Sequence, residues 1–252
     1  MILKQKNEVP FFQFPNLAKY VDIRHGVFTR NGGCSKIPYH HLNISPGVGD
    51  EESCVKHNRR LISQCMEEKE LVFANQVHGT EILIFSKDDP AGPPVLTGDA
   101  MVTDIPGRML VIQVADCQAV LLYDPVQQVV ANIHSGWRGS IKNITARTIN
   151  VMEKRFGCEP RHIIGGIGPS LGPCCAEFVN YRKEIPEEFW KYKDKSDCFD
   201  FWAATRDQLC EAGVSDENIY SGGLCTRCNT NLFFSYRGER VTGRFGALIG
   251  LR

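Results

Sequence analysis

Three residues of this 252-residue chain combine reactive side chains with suggestive placement: His78 in NQVHG, Cys117 in ADC and His134 in HSGWRG. Each lies just past a short apolar run, residues 71–74, 109–114 and 129–133 in turn, within a turn of small residues where backbones can converge. Two imidazoles and a thiolate leave one position of a tetrahedral zinc open, the pattern of a catalytic rather than a structural zinc. Zinc held there could lower the pKa of a water or hold a substrate oxyanion. Copper is an acceptable substitute, because thiolate and imidazole suit both metals. The same atoms also support chemistry without a metal. Cys117 as nucleophile, with His134 or His78 as base, would make a cysteine hydrolase or amidase.

The elements that must position these residues follow from hydrophobic patterning. Residues 71–74, 81–85, 100–103, 109–114, 119–123, 129–133 and 163–167 are short apolar or alternating runs bounded by turn formers, and read as strands. HGVFTRNGG begins as a strand and ends at a Gly-Gly turn, and residues 232–236 and 246–251 are expected to close the chain as strands. Asp50 is placed to cap a helix reaching Met66, with Val55, Leu61 and Ile62 on its buried side. Ser140 is expected to cap a helix reaching Phe156, where Ile141, Ile144, Thr148, Ile149 and Met152 recur at helical spacing and Gly157 ends it. Residues 202–212 read as a helix stopped by Gly213. Residues 1–25 form an apolar entry segment whose Phe11, Phe12 and Phe14 should pack on the body. Residues 88–99 read as a Pro/Gly-rich loop, and residues 179–201 carry no clear period. Strands in antiparallel-looking succession with a few inserted helices imply an α+β fold rather than a doubly wound sheet. With no repeat, linker or low-complexity tract, residues 1–252 read as a single domain.

Composition narrows the function classes. A 42% hydrophobic content over this length can fill one substantial core. Twenty-nine basic and 29 acidic residues balance, so charge gives no indication of a nucleic-acid or membrane partner. No run approaches the roughly 20 apolar residues of a membrane span. The start MILKQKNEVPFFQF lacks the layout of a signal peptide, which predicts a cytoplasmic protein. Eleven cysteines are then expected to be reduced thiols rather than a disulfide framework. Cys174, Cys175, Cys225 and Cys228 could in principle make a four-cysteine zinc site. Two neighbouring cysteines supply two tetrahedral positions poorly, so reduced, buried thiols are the expectation.

Six motifs occur in order: NQVHG, GDAMVTD, ADCQAVLLYDP, HSGWRG, IGPSLGPCC and CTRCNTNLFFSYRG…TGR. Together they resemble the laccase-domain family, first labelled multicopper polyphenol oxidase and later described as zinc-dependent purine nucleoside phosphorylase. The resemblance runs from about Gly26 to the C-terminus. It implies two packed mixed or antiparallel sheets with helices outside, and zinc on His78, Cys117 and His134. It further implies phosphorolysis of adenosine, inosine, guanosine and methylthioadenosine, with deamination of adenosine in the same pocket. A homodimer stays open. Laccase chemistry is disfavoured. A four-copper relay takes about ten histidines, many as His-x-His pairs (family knowledge), against seven histidines and no such pair here.

Phosphorolysis needs a cationic phosphate pocket. Arg59 and Arg138 are the candidates, since a guanidinium matches phosphate with paired donors. Arg138 follows Trp137 and precedes the expected helix start, so a phosphate contact and a structural packing on Trp137 are both open. Asn43 and Arg59 match the LN-and-NR pattern that the resemblance implies, and with Gln76 of NQVHG and Asp99 of GDAMVTD, Asn43 is placed to orient ribose, base or a metal-bound water. Asp116 is read as holding its loop by bonding backbone amides.

Overall fold

A computed structural model describes residues 1–68, 70–89 and 95–252. Its strands are β1 (Ile2–Lys6), β2 (Val9–Gln13), β3 (Ile23–Phe28), β4 (Glu70–Phe73), β5 (Ile82–Phe85), β6 (Ala100–Thr103), β7 (Arg108–Val114), β8 (Gln118–Asp124), β9 (Val129–Ser135), β10 (Ile164–Ile167), β11 (Ile219–Ser221) and β12 (Phe245–Leu251). The helices are α1 (Glu52–Met66), α2 (Trp137–Ile141), α3 (Ile144–Phe156), α4 (Tyr181–Glu184), α5 (Phe201–Glu211) and α6 (Tyr236–Glu239). They build two six-stranded sheets, ordered β1-β2-β3-β12-β7-β4 and β11-β10-β8-β9-β6-β5. Both are mixed: β4 joins β7, β5 joins β6 and β11 joins β10 in parallel, while the other pairings are antiparallel. The result is a single α+β domain.

Alternation along the central strands explains the layering. Leu110, Ile112 and Val114 of β7 and Ala247, Ile249 and Leu251 of β12 share a core with Ala119, Leu121 and Tyr123 of β8, between the sheets. The intervening Met109, Val111 and Leu248 pack with Ile62, Cys65 and Met66 of α1. On the other side, Val120 and Leu122 of β8 and Ala131 and Ile133 of β9 pack with Ile144, Ile149 and Met152 of α3. Each fully buried aliphatic side chain contributes about 1.5–3 kcal/mol. Strands covered on both faces are mostly apolar, which is why they stand out in the sequence.

Several expected boundaries shift. The first helix begins at Glu52, two residues past Asp50, and its cap residue, Glu51, makes no side-chain capping bond. Asp50 instead accepts from Ser35 Oγ at 2.6 Å and Asn43 Nδ2 at 2.8 Å. The helix expected from Ser140 is split. Asn143 adopts a left-handed conformation (φ 54°) and caps α3 by accepting from the Ala146 amide, while Gly157 ends it at φ 70°. Ser140 lies inside α2 and hydrogen-bonds Ser135. Residues 232–236 are not a strand. The amides of Leu232 and Phe233 bond back to the Asn229 carbonyl, and Ser235 caps α6. Phe233 and Phe234 are nevertheless fully buried. The entry segment contains the β1–β2 hairpin. Pro90–Pro94, within the expected loop at 88–99, lie outside the described residues.

Candidate active site

His78 follows β4, Cys117 sits in the β7–β8 turn and His134 is the penultimate residue of β9. Their ligand atoms lie within 4.8 Å of one another. Cys117 Sγ is 3.8 Å from His78 Nε2, and the two imidazole rings meet edge to face with centroids 4.8 Å apart. Gly136 allows this convergence. A Cβ there would stand 3.0 Å from His78 Cδ2 and 3.1 Å from Cys117 Sγ.

Two carboxylates hold the reactive loops. Asp99, fully buried, accepts from the amides of Val77, His78 and Gly79 at 3.2, 2.9 and 2.7 Å. It also pairs with His134 Nδ1 at 2.7 Å. Burial alone would raise its pKa, but the bonds from His134 and the loop amides hold it below the ordinary carboxylate range. Asp116 accepts from Thr226 Oγ1 at 2.6 Å, Ser235 Oγ at 2.7 Å and the Arg237 amide at 2.6 Å. It therefore braces its loop through two hydroxyls and one amide, where amides alone were expected. His78 and Asp116 both have left-handed backbones, φ 59° and 87°, at a cost of about 1–2 kcal/mol per residue. The two hydrogen-bond sets offset that strain.

The charges in the trio are linked. Burial would push the Cys117 thiol up, but the neighbouring His134 and His78 outweigh it and bring the thiol down to about 6. Burial would likewise lower His134, yet the Cys117 sulfur and Asp99 carry it up to about 9. Without a metal this is a thiolate–imidazolium pair. With Nδ1 committed to Asp99, His134 presents Nε2 as a ligand, the carboxylate–histidine arrangement that supports metal sites. The donor set and the shared carboxylate fit a zinc or copper ion.

The trio opens into a cavity of about 1070 Å³. Arg59, Arg138, Arg237, Arg240 and Arg244 line it, and Asp116, already engaged, is the sole acidic residue among the described lining residues. Among the described residues none of these arginines forms an ion pair with a carboxylate. Arg59 donates to the Ile44 carbonyl at 2.8 Å and stacks 3.8 Å above Phe73. Arg244 donates to the Thr242 and Gly243 carbonyls at 3.0 and 2.9 Å. Burial lowers the pKa of both guanidiniums; at Arg244 the nearby Cys117 and Asp116 offset it only in part. Trp137, Phe178, Phe201 and Tyr236 supply aromatic surface to the same cavity.

Of the residues singled out from the sequence, His78, Cys117, His134, Arg59, Gln76 and Arg138 line the cavity, and Asn43 and Asp99 are buried behind it. Asn43 spends its amide on Ser45, Asp50 and the Arg244 amide. It thereby positions two lining segments. Gln76 pairs its side-chain amide with both backbone groups of Gln113 at 2.9 Å. Arg138 lies inside α2 rather than ahead of a helix, exposed and 4.2 Å above the Trp137 ring. Arg237, Arg240 and Arg244 were not singled out, although they lie in the SYRG…TGR block; Tyr236 and the tight Gly243 turn beside them were the available signal.

The fold and site define a mixed two-sheet α+β protein with one His-Cys-His ligand set in a cationic cavity. Residues 24–252 match the family model described as multi-copper polyphenol oxidoreductase laccase, and the chain belongs to that family. It is 34% identical over 244 residues to a purine nucleoside phosphorylase of Bacteroides thetaiotaomicron, covering 89% of each chain. It is 34% identical over 248 residues to purine nucleoside phosphorylase YlmD of Geobacillus stearothermophilus, covering 90% of this chain and 89% of that one. The crystal structure of YfiH from Bacillus licheniformis superposes with a TM-score of 0.88 at 28% identity, over 99% of both chains.

Proposed function

We propose that this chain is a purine nucleoside phosphorylase that works with zinc on His78, Cys117 and His134. The observation that carries the reading is a cavity lined by five arginines lacking carboxylate partners, opening directly onto the trio. Such cations are placed to receive phosphate, and the names of the similar proteins point to the same reaction. Zinc bound by the trio would supply Lewis acidity and activate water. Arg59 and Arg244, anchored through backbone carbonyls, hold the phosphate nucleophile near C1′ of the ribose. Arg138 and Arg240 are the more exposed companions, and Arg237 is half-buried. Trp137, Phe178 and Phe201 stack on the purine and exclude water from the oxocarbenium-like transition state. Asp99 and Asp116 touch no substrate; they fix the loops that carry His78 and Cys117.

The substrates we assign are adenosine, inosine, guanosine and methylthioadenosine, and adenosine would be deaminated to inosine in the same pocket. The working compartment would be the reducing cytoplasm, where the Cys117 thiolate survives. Because the thiolate–imidazolium pair also suits a cysteine hydrolase, the decisive variant is Cys117→Ala. Even with zinc supplied in excess, it should lose the zinc of the trio and both nucleoside activities. Activity in the wild type that persists after full chelation but dies on thiol alkylation would establish the hydrolase instead.

A further inference from the structure

The trio uses one cysteine. Four others meet elsewhere: Cys174 and Cys175, in the turn that follows β10, and Cys225 and Cys228 of CTRC. Their sulfurs lie within 4.8 Å of one another, with Cys228 Sγ 3.6 Å from Cys174 Sγ and 3.5 Å from Cys175 Sγ. Zinc–sulfur bonds of about 2.3 Å in a tetrahedron set sulfur–sulfur edges of about 3.8 Å, so the cage has the size of a four-thiolate zinc. The expectation of reduced, buried thiols holds at Cys225, and the burial it assumed fails at the other three. Cys174 and Cys228 are exposed and Cys175 is half-buried, which gives an ion a path in.

Local backbone geometry removes the objection to neighbouring ligands. The amides of Cys175 and Ala176 both donate to the Gly172 carbonyl, at 2.9 and 3.0 Å, and this turn brings both sulfurs against Cys228. The amides of Gly172 and Cys228 in turn hydrogen-bond the Cys225 sulfur, the outer-shell support that a thiolate ligand requires.

We propose that Cys174, Cys175, Cys225 and Cys228 form a closed, structural zinc site separate from the His78–Cys117–His134 set. The inference does not depend on the nucleoside reading. Its role follows from what the two segments hold. Ser170 bridges to Cys225, and Thr226, between the two CTRC cysteines, donates to Asp116 beside Cys117. Arg237 donates to the Cys175 and Glu177 carbonyls at 3.4 and 2.9 Å. A zinc clamping these segments would brace the Cys117 loop and the wall that carries Arg237.

The test is zinc content of the full chain after expression with zinc and removal of loose metal, together with zinc-edge X-ray absorption. Wild type should hold about two zinc ions per chain, with about 2.5 sulfur ligands per zinc averaged over a four-sulfur and a one-sulfur site. Cys174→Ser with Cys228→Ser should lose one zinc and keep the other, whereas Cys117→Ala should retain the four-sulfur zinc alone. Should the double variant fail to fold, the sulfur count on the wild type still decides. A single zinc with about one sulfur, or a disulfide linking any two of the four cysteines in non-reducing peptide mapping, overturns the proposal and leaves the His78–Cys117–His134 reading intact. A single zinc that survives Cys117→Ala with about four sulfurs supports the proposal and overturns that other reading instead.

Discussion

Replacing Asp99 by Asn tests how the reactive loops are held. The carboxylate takes four hydrogen bonds, His78 N and His134 Nδ1 on Oδ1, and Val77 N and Gly79 N on Oδ2. An asparagine keeps one acceptor oxygen and turns the other into a donor. With its amide nitrogen at Oδ2, two charge-assisted bonds vanish and donor faces donor. With the nitrogen at Oδ1, His134 must accept at Nδ1 and carry its proton on Nε2, which removes a metal ligand. Either orientation forfeits two bonds to a charged group, about 1.5–3 kcal/mol each, so about 3–6 kcal/mol in all. Loss of such an outer-shell partner typically weakens metal binding by about 10–100-fold. Chelator competition should therefore show zinc affinity down by about 10–100-fold, and urea unfolding should show a lower midpoint. Zinc affinity and midpoint both equal to wild type would refute the role given to Asp99.

Arg59→Ala and Arg244→Ala should each cut phosphorolysis by about 10–100-fold at limiting phosphate, as expected for one lost charge-assisted contact. Adenosine deamination, which uses no phosphate, should fall much less, and an equal fall in both reactions would reassign these arginines to the fold or the nucleoside. His25 is buried, accepts from the Phe14 amide at 2.9 Å, and is lowered by burial from 6.5 to about 4. Between those values the unfolded chain binds the extra proton, so stability is full above pH 6.5 and declines toward pH 4 by about 3 kcal/mol. His25→Gln, which keeps an acceptor but does not titrate, should flatten that part of the pH–stability curve; unchanged slopes would show that His25 is not the group responsible.

The sequence revealed most where both faces of a strand are buried. The runs behind β7, β8 and β9 are mostly apolar, and these strands place Cys117 and His134 within a residue or two of the expected strand ends. The same signal misled at residues 232–236, because hydrophobicity records burial and not conformation, and Phe233 and Phe234 are buried in a turn. The break at Asn143 was invisible to periodicity, since a left-handed cap interrupts the chain without interrupting the apolar stripe. Among the polar residues, type alone could not separate a group facing substrate from one holding a loop. Asp99 and Asn43 were legible as members of the motifs, but their partners lie as much as 35 and 201 positions away. The cationic wall from Arg237 to Arg244 became evident only when the C-terminal block folded over the cavity beside β4 and α2.

The central claim is phosphorolysis in a metal-bearing pocket, and product analysis tests it most directly. Zinc-loaded protein incubated with inosine and phosphate should release hypoxanthine and ribose 1-phosphate in equal amounts, with turnover rising with phosphate and lost on chelation. Free ribose formed at the same rate without phosphate, or no cleavage at saturating zinc and phosphate, would contradict the account.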